Sequence, residues 1–182
     1  EPGETPRATV PASDAPPTSG PKDRAPDTPP STSPPKPAPV TFRVLTYNVA
    51  GLPQGISASN PLVNTPQISP KLNAFDLVLV QEDFAYHAAL ISAATHPYLS
   101  TPMAPSIDLG DGLNALSRFP FSALSRTKWS ACNGIIDQSN DCLTSKGFSR
   151  FVLDLGGGRT VDVYNVHFDA GRGQGDVAAR EA

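Results

Sequence analysis

The sequence predicts a mixed α+β domain, on three strand patterns with a shared character and the helical segments between them. The first pattern is Asp76-Leu77-Val78-Leu79-Val80-Gln81-Glu82. Its four consecutive apolar residues read as a strand buried on both faces, and the run stops on an amide and a carboxylate. In the second, over residues 42–48, alternation puts Val44 and Asn48 on one side. In the third, over residues 161–167, it puts Val161, Val163, Asn165 and His167 on one side. All three begin apolar and finish polar. As neighbours, their ends would form one pocket of carboxylate, carboxamide and imidazole. Those types suit a hard divalent cation and a phosphate oxygen. A strand-end Glu that simply points into water is the plain alternative.

The elements follow in chain order. Residues 1–40 hold 13 of the 21 prolines, with no aromatic residue and no Leu or Ile. Such a stretch cannot bury enough apolar surface to offset its ordering entropy, so it reads as a disordered, extended tail. A domain then runs over 41–182. Gly, Pro, Ser and Asn make 51–61 a loop over the strand ends. A helix is expected over 66–75, with Ile68, Leu72 and Phe75 on one face and Thr65-Pro66 as cap and first position. Pro70 conflicts with that start, and Ser69 is the alternative. Asp83 reads as the cap of a second helix over 84–94, with Phe84, Ala88 and Ile91 inward. Tyr86 and His87 lie off that stripe, near Glu82. Residues 100–112 read as a loop, and 112–117 and 121–128 as strands. Residues 147–155 and 159–168 form a hairpin around Gly156-Gly157-Gly158. Asp176 caps a last helix.

Composition narrows the function classes. After residue 40 there are 10 basic and 12 acidic residues and no Lys/Arg cluster, which disfavours a nucleic-acid partner held through a basic patch. A nuclease stays open, since bound metal can carry the positive charge. No run of 18 apolar residues is present, so no membrane span is expected. The two cysteines, Cys132 and Cys142, stand ten positions apart in a polar loop. Paired, they would stabilise by about 3 kcal/mol in the chain-entropy model; the alternative is two free thiols. A first residue that is Glu rather than Met, with the Pro-rich tail, points to a secreted or extracytoplasmic protein.

Four motifs carry a resemblance. Residues 45–53, Leu-Thr-Tyr-Asn-Val-Ala-Gly-Leu-Pro, resemble the first motif of the endonuclease/exonuclease/phosphatase superfamily, the DNase I-like fold. Residues 76–84 resemble the second, 112–120 the third conserved strand, and Asn165-Val166-His167 the Asn-x-His motif. Residues 132–147, with a Cys before a Lys-Gly pair, are similar to a loop of secreted bacterial neutral sphingomyelinases. Gln-Glu-Asp-Phe-x-Tyr-His and His-x-Asp-Ala-Gly resemble a narrower group of secreted bacterial and fungal members.

The resemblance implies a four-layer α/β/β/α sandwich, of which this chain reads as the first half. It implies Glu82 as a ligand of Mg²⁺ (Mn²⁺ or Ca²⁺ as alternatives), with Asn48 beside it in the metal site. His167 would sit at the scissile phosphate and Asn165 would shape the pocket; Asp169 matches only the narrower group. The superfamily's Asp-x-Asn and Asp-His motifs do not occur in these residues. A phosphoester substrate, a phospholipid or small phosphoester, is therefore expected, with a membrane surface as a second partner. Nuclease activity is the first alternative, and a truncated, non-catalytic binding module the second. A missing half should also leave the Val161/Val163 face and the 77–80 strand without cover.

Overall fold

The computed structural model describes residues 38–103, 109–134 and 141–182. Residues 1–37, most of the expected tail, lie outside them. Among the described residues ten α-helices and β-strands follow in order, with 3-10 segments at Ser69–Ala74 and Asp141–Leu143. They are β1 (Val44–Asn48), α1 (Pro61–Ile68), β2 (Leu77–Gln81), α2 (His87–Ile91), β3 (Tyr98–Leu99), β4 (Asn114–Ser117), β5 (Phe121–Lys128), β6 (Gly147–Asp154), β7 (Thr160–His167) and α3 (Gln174–Glu181). Among the described residues no helix is long and apolar enough to cross a membrane.

Two sheets face each other. The first has the order β1-β2-β4-β3, with β1 parallel to β2 and the other pairs antiparallel. The second is the antiparallel meander β5-β6-β7. The apolar run of β2 explains the layering. Val78 and Val80 pack with Leu72, Leu90 and Leu116 under the helical segments, while Leu77 and Leu79 pack with Phe151 and Leu153 of the second sheet. All of β2 is buried as a result. The expectation that 77–80 would lack cover is therefore corrected: helices supply one side and β6 the other. The β7 face is less well covered, with Val161 exposed and Val163 half-buried.

Both helix expectations near the site are corrected. The first helix starts at Pro61, not at 66 or 69, and runs into a 3-10 segment, Ser69–Ala74. Pro61 suits a first position because its missing N–H has no helical partner there. Pro70 is tolerated for the same reason, at the start of the 3-10 segment. The second helix shrinks to His87–Ile91, and Asp83 does not cap it. The Asp83 carboxylate instead accepts from Asn114 Nδ2 at 2.9 Å and sits 2.5 Å from His87 Nδ1. At the last helix, Gly173 rather than Asp176 is the N-cap; Asp176, three residues in, accepts the Gly173 N–H at 2.8 Å.

Candidate functional site

One left-handed residue builds the site. Along β2, alternation sends Leu77, Leu79 and Gln81 toward the second sheet and Val78 and Val80 toward the helices. Regular continuation would bury Glu82 behind Val80. A φ of 57° at Glu82 breaks the alternation and turns the carboxylate back over the strand end. A non-glycine residue held in this conformation costs on the order of 1–3 kcal/mol, which the surrounding structure must supply.

Two glycines make that turn fit. The Gly51 N–H donates to the Glu82 carbonyl at 3.0 Å, and a Cβ on Gly51 would lie 2.5 Å from the same oxygen. Gly112, at φ 61°, leaves no space either: a Cβ there would lie 2.5 Å from the Phe84 ring and 3.0 Å from Glu82 Cα. Tyr86 pins the loop between β1 and α1, its hydroxyl accepting the Gln54 N–H at 2.8 Å.

Asn48 ends β1 opposite Gln81 in the parallel register. Its Nδ2 donates to Glu82 Oε1 at 2.8 Å, and its Oδ1 accepts the Ala50 N–H at 2.9 Å. The amide is oriented by that second bond, so its N–H₂ faces the carboxylate. His167 ends β7 on the other sheet, with Nε2 3.6 Å from Glu82 Oε1. The Glu82 and His167 side chains are 23% and 11% exposed, so a small ligand can reach both. Trp129 donates its indole N–H to the His167 carbonyl at 2.9 Å and fixes the strand end.

The other expected residues stand further back. Asn165 is buried beneath the site, and its carboxamide bridges the sheets: Oδ1 accepts from Gln81 Nε2 at 2.5 Å, and Nδ2 donates to Val80 O at 2.9 Å and Asn114 O at 3.3 Å. Asp169 is also buried, its Oδ2 accepting the Asn133 N–H at 2.8 Å. That bond ties the end of β7 to the loop closed by Cys132–Cys142, which are disulfide-bonded. Asn133 also donates to Asp176 Oδ1 at 2.7 Å. Sequence reasoning missed Gln81, Trp129 and Asn133. Only Gln81 carried a signal, as the polar end of the Leu77/Leu79 face.

Glu82 suits a magnesium-type ion. Such an ion keeps several waters and takes one or two carboxylates together with substrate oxygens. Among the described residues no three His, Cys, Asp or Glu side chains converge to hold a metal alone. The donor set present, one accessible carboxylate held by a carboxamide, fits that open mode.

No family model matches the sequence. Over 140 residues the chain is 41% identical to proteins named sphingomyelinase from Mycobacterium bovis and Mycobacterium tuberculosis. The match takes in 72% of this chain and 28% of each relative, so the chain spans just over a quarter of the length of the curated relatives it matches. A β-hairpin deletion mutant of beta toxin from Staphylococcus aureus is similar in structure, with TM-score 0.57 and 16% identity over 70% of this chain and 51% of that one. SmcL gives TM-score 0.58 and 17% identity over 72% and 49%. At these identities the likeness is one of fold.

Proposed function

We infer, from a chain that is a sphingomyelinase homologue with a DNase I-like fold, a divalent-metal-dependent phosphodiesterase acting on a phospholipid headgroup ester. This chain supplies the metal carboxylate and the phosphate-facing imidazole. One observation carries the reading: Glu82 Oε1, braced by Asn48, faces His167 Nε2 across the ends of two sheets. Glu82 would hold the ion, which when bound supplies positive charge at the phosphate oxygens. Asn48 keeps the carboxylate pointing into the cleft. His167 offers a hydrogen bond to a phosphate oxygen from the opposite wall. Asn165 and Asp169 act behind these groups, on the strand end that carries His167.

The same reading assigns residues 41–182 to the catalytic domain and leaves the Pro-rich residues 1–40 outside it. It also places the protein in an extracytoplasmic compartment, which the Cys132–Cys142 bond supports. The chain's share of its relatives' length supports a catalytic centre completed by further polypeptide. The test is hydrolysis of a choline phosphodiester in mixed vesicles, with Mg²⁺ or with chelator, compared with nicking of plasmid DNA. Two samples are assayed: the purified chain, and the chain mixed with the polypeptide that a longer relative carries beyond the matched residues. Headgroup release that needs both Mg²⁺ and the added polypeptide is expected. Plasmid nicking without headgroup release would overturn the lipid assignment, and turnover in chelator would overturn the metal.

A further inference from the structure

We propose that Gln81 and Asn165 form a positioning joint that sets the gap between the metal side and the phosphate side of the site. The joint rests on reading Glu82 and His167 as the two walls of one centre.

Its parts are already in place. Gln81 comes immediately before Glu82 on β2, and Asn165 stands two residues before His167, on the same face of β7. Both are buried, at 8% and 2% exposure. Between them they tie three strands of one sheet to an edge strand of the other. Gln81 Nε2 donates to Thr46 Oγ1 on β1 at 3.1 Å and to Asn165 Oδ1 at 2.5 Å. Asn165 Nδ2 donates to the carbonyls of Val80 on β2 and Asn114 on β4.

Apolar packing between sheets is non-directional and tolerates sliding. Directional bonds made in a low-dielectric interior do not, because a displaced amide is left unpaired where no water replaces its partner. Below this level the sheets are held by the contacts of Leu77 and Leu79 with Phe151 and Leu153. Arg126 of β5 adds a second directional link, to Asp111, Leu113 O and Asn114. The amide pair is the one that stands one residue from Glu82 and two from His167. A shift of one ångström between reacting groups costs about 100-fold in rate, so a device that holds the gap has a function beyond stability.

The test uses Gln81→Met, which keeps the length and removes the amide. Asn165→Ser, too short to span the gap, serves as a second variant should the first fail to fold. In the metal-free chain, NMR contacts between the Asn48 or Glu82 side chain and the His167 ring are expected in the wild type. They are expected to vanish in either folded variant, while contacts between Leu79 and Phe151 persist. With Mn²⁺ added, broadening of the His167 ring signals is expected in the wild type, absent in Glu82→Gln and reduced in Gln81→Met. Retention of the site contacts in a folded variant overturns the joint. Loss of the Leu79–Phe151 contacts together with the site contacts also overturns it, since the amides would then merely stabilise the fold. Loss of the site contacts alone, in a wild type that Mn²⁺ does not broaden, keeps the joint and overturns the metal reading.

Discussion

Glu82 and Asp83 are consecutive carboxylates with opposite fates. Glu82 turns toward His167, partly exposed, and among the described residues a single side-chain hydrogen bond reaches its carboxylate, from Asn48. Asp83 turns inward to 2% side-chain exposure and joins a dense network. Asn114, which donates to it, accepts in turn from Ser100 Oγ at 3.0 Å and from Arg126 Nη2 at 3.3 Å. Arg126 Nη1 donates to both oxygens of Asp111, at 2.7 and 2.6 Å, and to Leu113 O at 2.6 Å. A carboxylate with spare acceptor capacity at a reachable edge can bind a cation. One buried and hydrogen-bonded in the interior holds structure. On the proposed function, the difference separates chemistry from stability within two residues.

Breaking the buried side should give the largest effect. Arg126→Met leaves Asp111 buried at 4% side-chain exposure without its counter-charge. A loss of about 3–5 kcal/mol in urea unfolding is expected; a loss below about 1 kcal/mol would break the contrast. On the open side, the proposed function predicts that Glu82→Gln lowers Mg²⁺-dependent hydrolysis by the chain completed with its missing polypeptide by at least about 100-fold, equivalent to about 2.7 kcal/mol. The variant's unfolding free energy should stay within about 0.5 kcal/mol of wild type. Steady-state rates and denaturant curves on one preparation check both halves. Asp83→Asn should do the reverse, costing about 1–2 kcal/mol of stability and leaving the Mg²⁺ response of the rate unchanged. The smallest effect has the opposite sign. Glu82→Gly relieves the left-handed strain at φ 57° and should raise stability by about 1 kcal/mol while removing activity. A Glu82→Gly variant less stable than Glu82→Ala, which lacks the same hydrogen bond but keeps a Cβ, would mean that the residue is not strained.

Much of this was legible, for reasons particular residues make plain. The apolar run of β2 has one reading, burial on both sides, and the polar ends of β1, β2 and β7 do converge. The helix start was obscured by two nearly equal signatures, Asn60-Pro61 and Thr65-Pro66, of which the first won. Asp83 followed by a helical pattern looks like a cap, yet its carboxylate is taken by two side chains, Asn114 from 31 residues away and His87 four residues on. Asn165 shares a strand face with His167, but strand periodicity does not reveal depth, and the opposing sheet lies close enough there to take its amide. Nothing local announces a left-handed Glu82. It follows from Gly51 and Gly112 closing on it from two other segments.

The difference in connection between the two sheets bears on the order in which the molecule folds. In the β5-β6-β7 meander the tightest pairs, such as Asp154 with Thr160, close across a glycine turn, and hairpins of this kind form in about 1–10 μs. The β1–β2 pairing joins Val44 to Leu77 in parallel, across α1 and the 3-10 segment, and distant contacts of that sort form slowly. His167 should therefore be seated in its strand before Glu82 has a neighbour to face. Pulse-labelled hydrogen exchange during refolding should show β6 and β7 amides protected ahead of those in β1. The reverse order would mean that the strand bearing the carboxylate nucleates the fold.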